Sequence, residues 1–195
     1  MQRRNCELRE GIFNCMMRSL TGIAIAALTA LALIPPLSAG AAAPNQRARQ
    51  AIDTTALLRS RLLWATIDVC NPPDQPNTVG IRGSMPGDHH AHDTMYMRFR
   101  LQYMNTATKT WTDLSKASAG YATVGSGLTA RQAGRSFELN PVTGQPAFTL
   151  RGIVTFQWRH KSTVLAQFSR TTSPGRHSLA GSDPAGFSAA TCVIG

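Results

Sequence analysis

The sequence predicts an all-β domain of two packed antiparallel sheets with about seven or eight strands, residues 62–195, after an N-terminal export signal. Two segments, 95–103 and 153–159, alternate apolar and polar side chains with a period of two residues, which is typical of a strand with one buried face. Clusters of Gly, Pro, Asn and Ser separate the apolar runs. Residues 62–195 show no convincing core helix, so the fold class is all-β.

The first elements follow from composition and periodicity. Residues 44–61 are polar and Ala-rich, and we expect a flexible lead-in that is helical around Thr54 to Arg59. Alternation over 62–70 predicts a first strand that ends at Cys70. A short strand follows at 78–83, and the strand at 95–103 is the clearest in the chain. The remaining predicted strands are, in chain order, 110–114, 135–139, 153–159, 163–170 and 187–194; the signal for a strand at 121–124 is weaker, and 148–151 is expected to be extended.

An export signal precedes the domain. Arg18 supplies a positive charge, residues 20–33 contain no ionisable group, and Pro35-Pro36 ends this apolar run. The run is shorter than the roughly 20 residues that a membrane-spanning helix needs, so a signal peptide over 1–43 is favoured over an anchor. We expect the translational start at Met16 or Met17 and cleavage after Ala41 or Ala43. The product is then a secreted monomer without a membrane span.

Cleavage would leave two of the four cysteines, Cys70 and Cys192. An oxidising compartment favours a disulfide between them, and the alternative is two free buried thiols. We expect the first and last strands, which carry these residues, to lie side by side.

The cleaved chain would hold 16 Lys and Arg against 8 Asp and Glu, a formal charge of +8. This charge favours anionic partners such as cell-envelope polymers, while an unknown protein partner stays open. The arginines are scattered along the strands and are not interleaved with exposed aromatic side chains, so we do not expect nucleic acid as a partner.

The loop Asp88-His89-His90-Ala91-His92-Asp93 contains the one cluster with metal-ligand chemistry. Imidazoles and carboxylates are the usual ligands of zinc, nickel and copper. The candidate ligands are Asp88, His89, His90, His92 and Asp93, and an extended loop would place Asp88, His90 and His92 on one side. The alternative is a solvated loop with incidental chelating capacity. We expect His160, in a hairpin turn, and His177, in a long loop, to face solvent.

Catalytic patterns are missing from the sequence. There is no Gly-x-Ser-x-Gly elbow, and Gly125-Ser126-Gly127 lacks the strand-turn-helix setting of one. Glu138 is the single glutamate after the leader, so paired carboxylates for glycoside hydrolysis are not expected. We therefore expect a protein that is not an enzyme.

The order of the strands at 95–103, 111–114 and 150–158 resembles the middle strands of immunoglobulin-like and fibronectin type III-like domains. The span Thr66–Ile194 is similar to uncharacterised secreted bacterial proteins of that fold. The resemblance implies an immunoglobulin-like sandwich with no catalytic residue, although the chain lacks the buried cross-sheet cysteine pair and tryptophan of the antibody pattern. We expect a secreted non-enzymatic binding or cell-envelope-associated module; the alternative is a metal-binding protein that uses the loop Asp88–Asp93.

Overall fold

The structure is a computed structural model that describes residues 51–176 and 179–195. All of these residues belong to one compact unit, Ala48–Gly195. In the described residues the fold is all-β with one short helix, α1, Thr54–Arg59. The strands are β1 Trp64–Cys70, β2 Thr78–Met85, β3 Asp93–Asn105, β4 Thr110–Ser118, β5 Ala122–Ser126, β6 Arg131–Glu138, β7 Phe148–His160, β8 Thr163–Thr171 and β9 Thr191–Ile194. No helix among these residues is long and apolar enough to cross a membrane.

The helix predicted before the first strand is present at Thr54–Arg59. Asp53 caps it, because its side chain accepts a hydrogen bond of 2.9 Å from the backbone N–H of Ala56, and Leu57 is its buried residue. The predicted signal peptide, 1–43, lies outside the described residues, as do residues 44–50 of the lead-in.

The strands form two antiparallel sheets. The small sheet has the order β1-β2-β6, and the large sheet has the order β4-β3-β7-β8. Two short strands complete the large sheet, since β5 pairs with β3 and β9 pairs with β7. The long central strands β3 and β7 pair along their length, from Asp93 opposite His160 to Tyr103 opposite Leu150.

The core lies between the sheets. The odd-numbered residues of β3 from Met95 to Leu101 are buried, as are Phe156 and Trp158 of β7, which confirms the predicted inner face of β3. A Cβ on Gly83 of β2 would lie 2.9 Å from a methyl group of Val154, so the two sheets touch there. Gly152 does not interrupt β7, because its lack of a side chain makes room for Ile81 of the opposite sheet.

Cys70 and Cys192 form the predicted disulfide, with an S–S distance of 2.04 Å. The expectation that the first and last strands lie side by side holds only at Ala189, which bridges Ile67 of β1; β9 itself pairs with β7 of the large sheet, while β1 belongs to the small one. The segment before β9 is held to β1 by two hydrogen bonds of 3.0 Å between Ile67 and Ala189, and the chain then crosses to β7. The disulfide therefore links the two sheets, so this chain does have a cross-sheet cysteine pair.

Candidate metal centre

The histidine loop connects β2 to β3. The indole N–H of Trp158 donates a buried hydrogen bond of 3.0 Å to the carbonyl oxygen of Pro86, which ties the start of the loop to the core. On its other side the loop is held by the turn after β5: the N–H of His89 donates to the oxygen of Gly127 (2.9 Å), and the N–H of Gly127 donates to the oxygen of Asp93 (2.8 Å). These bonds fix the loop backbone at both ends of the histidine cluster.

The backbone of Gly127 packs directly against the side chain of Asp88, which is possible because glycine has no side chain. A Cβ at position 127 would lie 2.0 Å from Asp88 Oδ1, closer than any real contact. A Cβ on Gly87 would likewise lie 2.4 Å from the oxygen of Gly127. Glycine is thus required on both sides of this contact. In the sequence, Gly127 stands out only in Gly125-Ser126-Gly127, which is not a nucleophile elbow. Because Gly127 is distant from the loop along the chain, no local pattern predicts that the two are in contact.

Three of the five predicted ligands come together. One ligand atom from each of Asp88, His90 and Asp93 can be chosen so that all lie within 4.8 Å of one another. The side chains of Asp88 and Asp93 are 0% and 4% exposed, whereas that of His90 is 41% exposed, so the group is closed on the core side and open at the imidazole. Asp88 Oδ1 accepts a hydrogen bond of 3.0 Å from the backbone N–H of His90.

Two possible ligand atoms of this group are buried and have no neutral hydrogen-bond donor beside them within the described part of the chain. These atoms are Asp88 Oδ2 and His90 Nδ1; the Asp88 carboxyl is hydrogen-bonded to the Asp93 side chain when it is protonated, and His90 Nδ1 lies 3.9 Å from Asp88 Oδ1. Once both carboxyl groups are ionised they no longer share a proton, and their buried oxygens lose hydration free energy without recovering it in the fold. A cation between the carboxylates would satisfy these oxygens.

The electrostatics of the group favour a cation. Burial raises the pKa of the Asp88 carboxyl, the nearby Asp93 carboxyl raises it further, and the hydrogen bond from the His90 N–H opposes both effects. Two carboxyl groups this close repel each other when both are ionised. A divalent cation between them would remove that repulsion and hold both in the charged form.

His160 belongs to the site, although the sequence predicted that it would face solvent. Its Nδ1 lies 2.7 Å from Asp93 Oδ1, and its side chain is 28% exposed. The contact follows from register, because Asp93 begins β3 directly opposite His160 at the end of β7. A histidine bonded to a ligating carboxylate fixes the orientation of that carboxylate. We missed this role because strand pairing between distant segments has no local sequence signal.

His89 and His92 are exposed and lie outside the group. At His89 the backbone adopts a φ of 67°, the left-handed region, at the residue whose N–H bonds Gly127. The ligand group therefore consists of Asp88 and Asp93, at the two ends of the loop, together with His90. His177 is not among the described residues.

The donor set is one imidazole nitrogen and two carboxylate groups. Zinc binds such donors at about 2.0–2.2 Å, which places neighbouring donor atoms about 3.4 Å apart, so a cation would draw the group together by roughly 1 Å. The exposed imidazole side leaves room for a water or an external ligand. A cavity of about 180 Å³ beside the loop, lined by Ile52, Leu57, Pro86 and His89, is smaller than the roughly 300 Å³ of a typical organic-ligand pocket.

The chain matches no protein-family model, and no curated protein is significantly similar to it in sequence. Among solved structures it is similar in part to the alkylpurine DNA glycosylase AlkC of Pseudomonas fluorescens, bound to DNA containing an abasic site analog. The identity is 11% and the TM-score 0.30, over 57% of this chain and 29% of that chain. A likeness this low carries no inference about the fold or the function of this chain.

Proposed function

We propose that this chain is a secreted, non-enzymatic immunoglobulin-like β-sandwich protein that binds a divalent transition-metal ion through Asp88, His90 and Asp93. The observation that carries the proposal is the buried pair of carboxyl groups, Asp88 and Asp93, which offer ligand atoms within 4.8 Å of each other and of an imidazole nitrogen of His90. Secretion is supported by the disulfide between Cys70 and Cys192, because such bonds persist in oxidising compartments.

Zinc fits the donor set better than calcium does. Calcium takes six to eight oxygen ligands, whereas imidazole suits zinc, copper and nickel. The group offers an imidazole nitrogen and is closed by Gly127 on one side, which leaves little room for the many ligands of a calcium ion. The contact with His160 would hold the Asp93 carboxylate in place, since carboxylates that bind a metal are commonly hydrogen-bonded by a further residue.

Calorimetric titration of zinc, nickel and copper into the purified, metal-stripped protein tests the proposal. We expect a single site with a Kd of about 1 μM or tighter for zinc and no comparable site for calcium. His90→Ala should weaken zinc binding by more than about tenfold, at least as much as the loss of an outer-shell partner.

His92→Ala is the matched control, because it removes a histidine two positions away that lies outside the group. We expect its Kd to stay within about twofold of the unmodified protein. Zinc in excess should also raise the unfolding free energy by about 2.7 kcal/mol at 100 times the Kd. A titration without a micromolar site, or an equal loss of affinity in both variants, would refute the assignment of the ligands.

A further inference from the structure

Arginine side chains line the outer face of the large sheet. Arg98 and Arg100 of β3, with Arg151 and Arg159 of β7, alternate with buried core residues and so lie on the face that points away from the small sheet. We call these four residues the arginine face. On β3, Arg98 lies opposite Thr155 of β7 and Arg100 lies opposite Ile153. Measured along the direction of β7, the four arginines therefore follow one another in the order Arg159, Arg98, Arg100, Arg151. At about 3.3 Å per residue this row is about 26 Å long.

A single carboxylate neutralises only part of the arginine face. Asp113 of β4 pairs with Arg100 at 2.7 Å, and its side chain is 50% exposed. Within the described part of the chain, Arg98, Arg151 and Arg159 have no carboxylate partner. The face therefore carries a net positive charge that an anionic partner could neutralise.

Aromatic rings and backbone oxygens hold these arginines in place. The guanidinium of Arg159 lies 4.3 Å above the ring of Tyr96, and that of Arg151 lies 4.3 Å above the ring of Trp111. Arg98 donates a hydrogen bond of 3.1 Å to the backbone oxygen of Ala119. Two of the four arginines thus pack on half-buried aromatic rings, a contact that the sequence did not predict. Because the side chains are already ordered, little side-chain entropy is lost when they bind a partner.

The side chains between the arginines are neutral and rich in hydrogen-bonding groups. Thr155 and Gln157 of β7 are buried, and they are bonded to the exposed side chains of Ser169 (2.9 Å) and Gln167 on β8. The surface open to a partner therefore combines the guanidinium groups with the hydroxyl and amide groups of β8. We propose that the arginine face binds an extended acidic polysaccharide, whose carboxylates or sulfates meet the guanidinium groups and whose hydroxyls meet the amides.

Two other polyanions fit this surface less well. Single-stranded nucleic acid binds by stacking bases on free aromatic rings, but Tyr96 and Trp111 each have a guanidinium over the ring. A lipid surface favours apolar side chains that insert between headgroups, and in the described part of β3, β7 and β8 the only exposed large apolar side chain is Val164.

The test measures binding of the purified protein to polygalacturonate and dextran sulfate, with neutral dextran as the blank, at low and high ionic strength. Replacing both Arg98 and Arg151 with Gln should weaken binding by about tenfold or more and flatten its salt dependence. The matched control replaces Arg131 and Arg135 of β6 with Gln, which removes the same charge from the small sheet. We expect it to weaken binding by less than about threefold.

A second pair of variants keeps the packed arginines. Ser169→Glu places a negative charge on the arginine face, and Ser136→Glu places the same charge on β6 of the small sheet; the first should weaken binding clearly more than the second. Equal effects in the two pairs, or no binding to either acidic polymer at low salt, would overturn the proposal. So would tighter binding to a short single-stranded DNA or to phosphatidylglycerol vesicles, since either would identify a different partner. None of these outcomes depends on whether the protein binds metal.

Discussion

Replacing Asp88 with Asn should stabilise the metal-free protein at neutral pH and abolish its metal binding. Asn has nearly the same shape as Asp, and its oxygen can keep the hydrogen bond of 3.0 Å from the His90 N–H. Its amide N–H₂ would replace Oδ2 and would face the Asp93 carboxyl as a donor at every pH, whereas the Asp88 carboxyl can donate only while it is protonated. A repulsive contact between two carboxyl groups would become a hydrogen bond.

The size of the effect follows from the hydrogen bond that the two carboxyl groups lose once both are ionised. Leaving a buried polar group unsatisfied costs about 1–3 kcal/mol, so we expect Asp88→Asn to raise the unfolding free energy by about that amount at neutral pH. For a domain of this size each kcal/mol shifts the Tm by about 2–4 °C. Burial and Asp93 raise the pKa of Asp88 above its ordinary value of 3.8, so the folded protein holds this proton to a higher pH than the unfolded chain does. The unmodified protein therefore loses stability as the pH rises from about 3.8 through the raised pKa, whereas the Asn variant does not.

Urea unfolding in the presence of a chelator, repeated from acidic to neutral pH, measures this difference. The two proteins should have similar stability at acidic pH, where Asp88 is protonated and neutral, and should diverge as the pH rises. Asp113→Asn is the matched control, since that carboxyl is half exposed and should change stability by less than about 1 kcal/mol. If Asp88→Asn destabilises the protein equally at every pH, then the carboxylate is a structural acceptor and the reasoning for a metal site is wrong.

Three further changes test other parts of the structure. Gly127→Ala should destabilise the protein by about 1–3 kcal/mol and abolish zinc binding, because the new Cβ would collide with Asp88 Oδ1. Gly120→Ala is the control, and its Tm in thermal unfolding should be nearly unchanged because no atom lies within 4 Å of a Cβ there. His160→Gln should weaken zinc affinity in calorimetry by about 10–100-fold through the loss of its contact with Asp93, and an unchanged Kd would remove His160 from the site. Replacing Cys70 and Cys192 with Ser should lower the unfolding free energy in urea by about 2–5 kcal/mol, because the bond closes a loop across a sequence separation of 122; a loss below about 1 kcal/mol would contradict this.

The sequence predicted strands more accurately where buried and exposed side chains alternate than where most side chains are exposed. In β3 one face packs against the other sheet, so the period of two residues is visible from Met95 to Tyr103. In β6 most side chains are exposed, and its first residues, from Arg131, were missed because exposed residues carry no alternation. The pairing of β9 with β7 was also missed, since the partner of a strand is fixed by packing between distant segments rather than by its own residues.

For the candidate site, the composition of the loop identified the types of metal ligand but not which of the five residues come together. The loop offered five ligands, and local backbone geometry selected three, because the positive φ at His89 and the contact with Gly127 set which side chains point inward. Those contacts come from a turn far along the chain. His160 entered the site through the register of β3 and β7, which periodicity does not specify.

The two proposed sites differ in how they should respond to salt. Residues 51–195 contain eight Asp and Glu, and three of them, Asp68, Asp88 and Asp93, are buried, so the surface is more basic than the composition alone implies. The arginine face is in contact with solvent, and its attraction to a polyanion should fall steeply beyond about 0.1 M salt, where the Debye length is about 10 Å. The carboxylates of the metal centre are enclosed by the core and by Gly127, and ions screen such buried charges much less. One salt series on the same protein should therefore release the polysaccharide while the Kd for zinc changes little, and a parallel loss of both would show that the two ligands share one exposed surface.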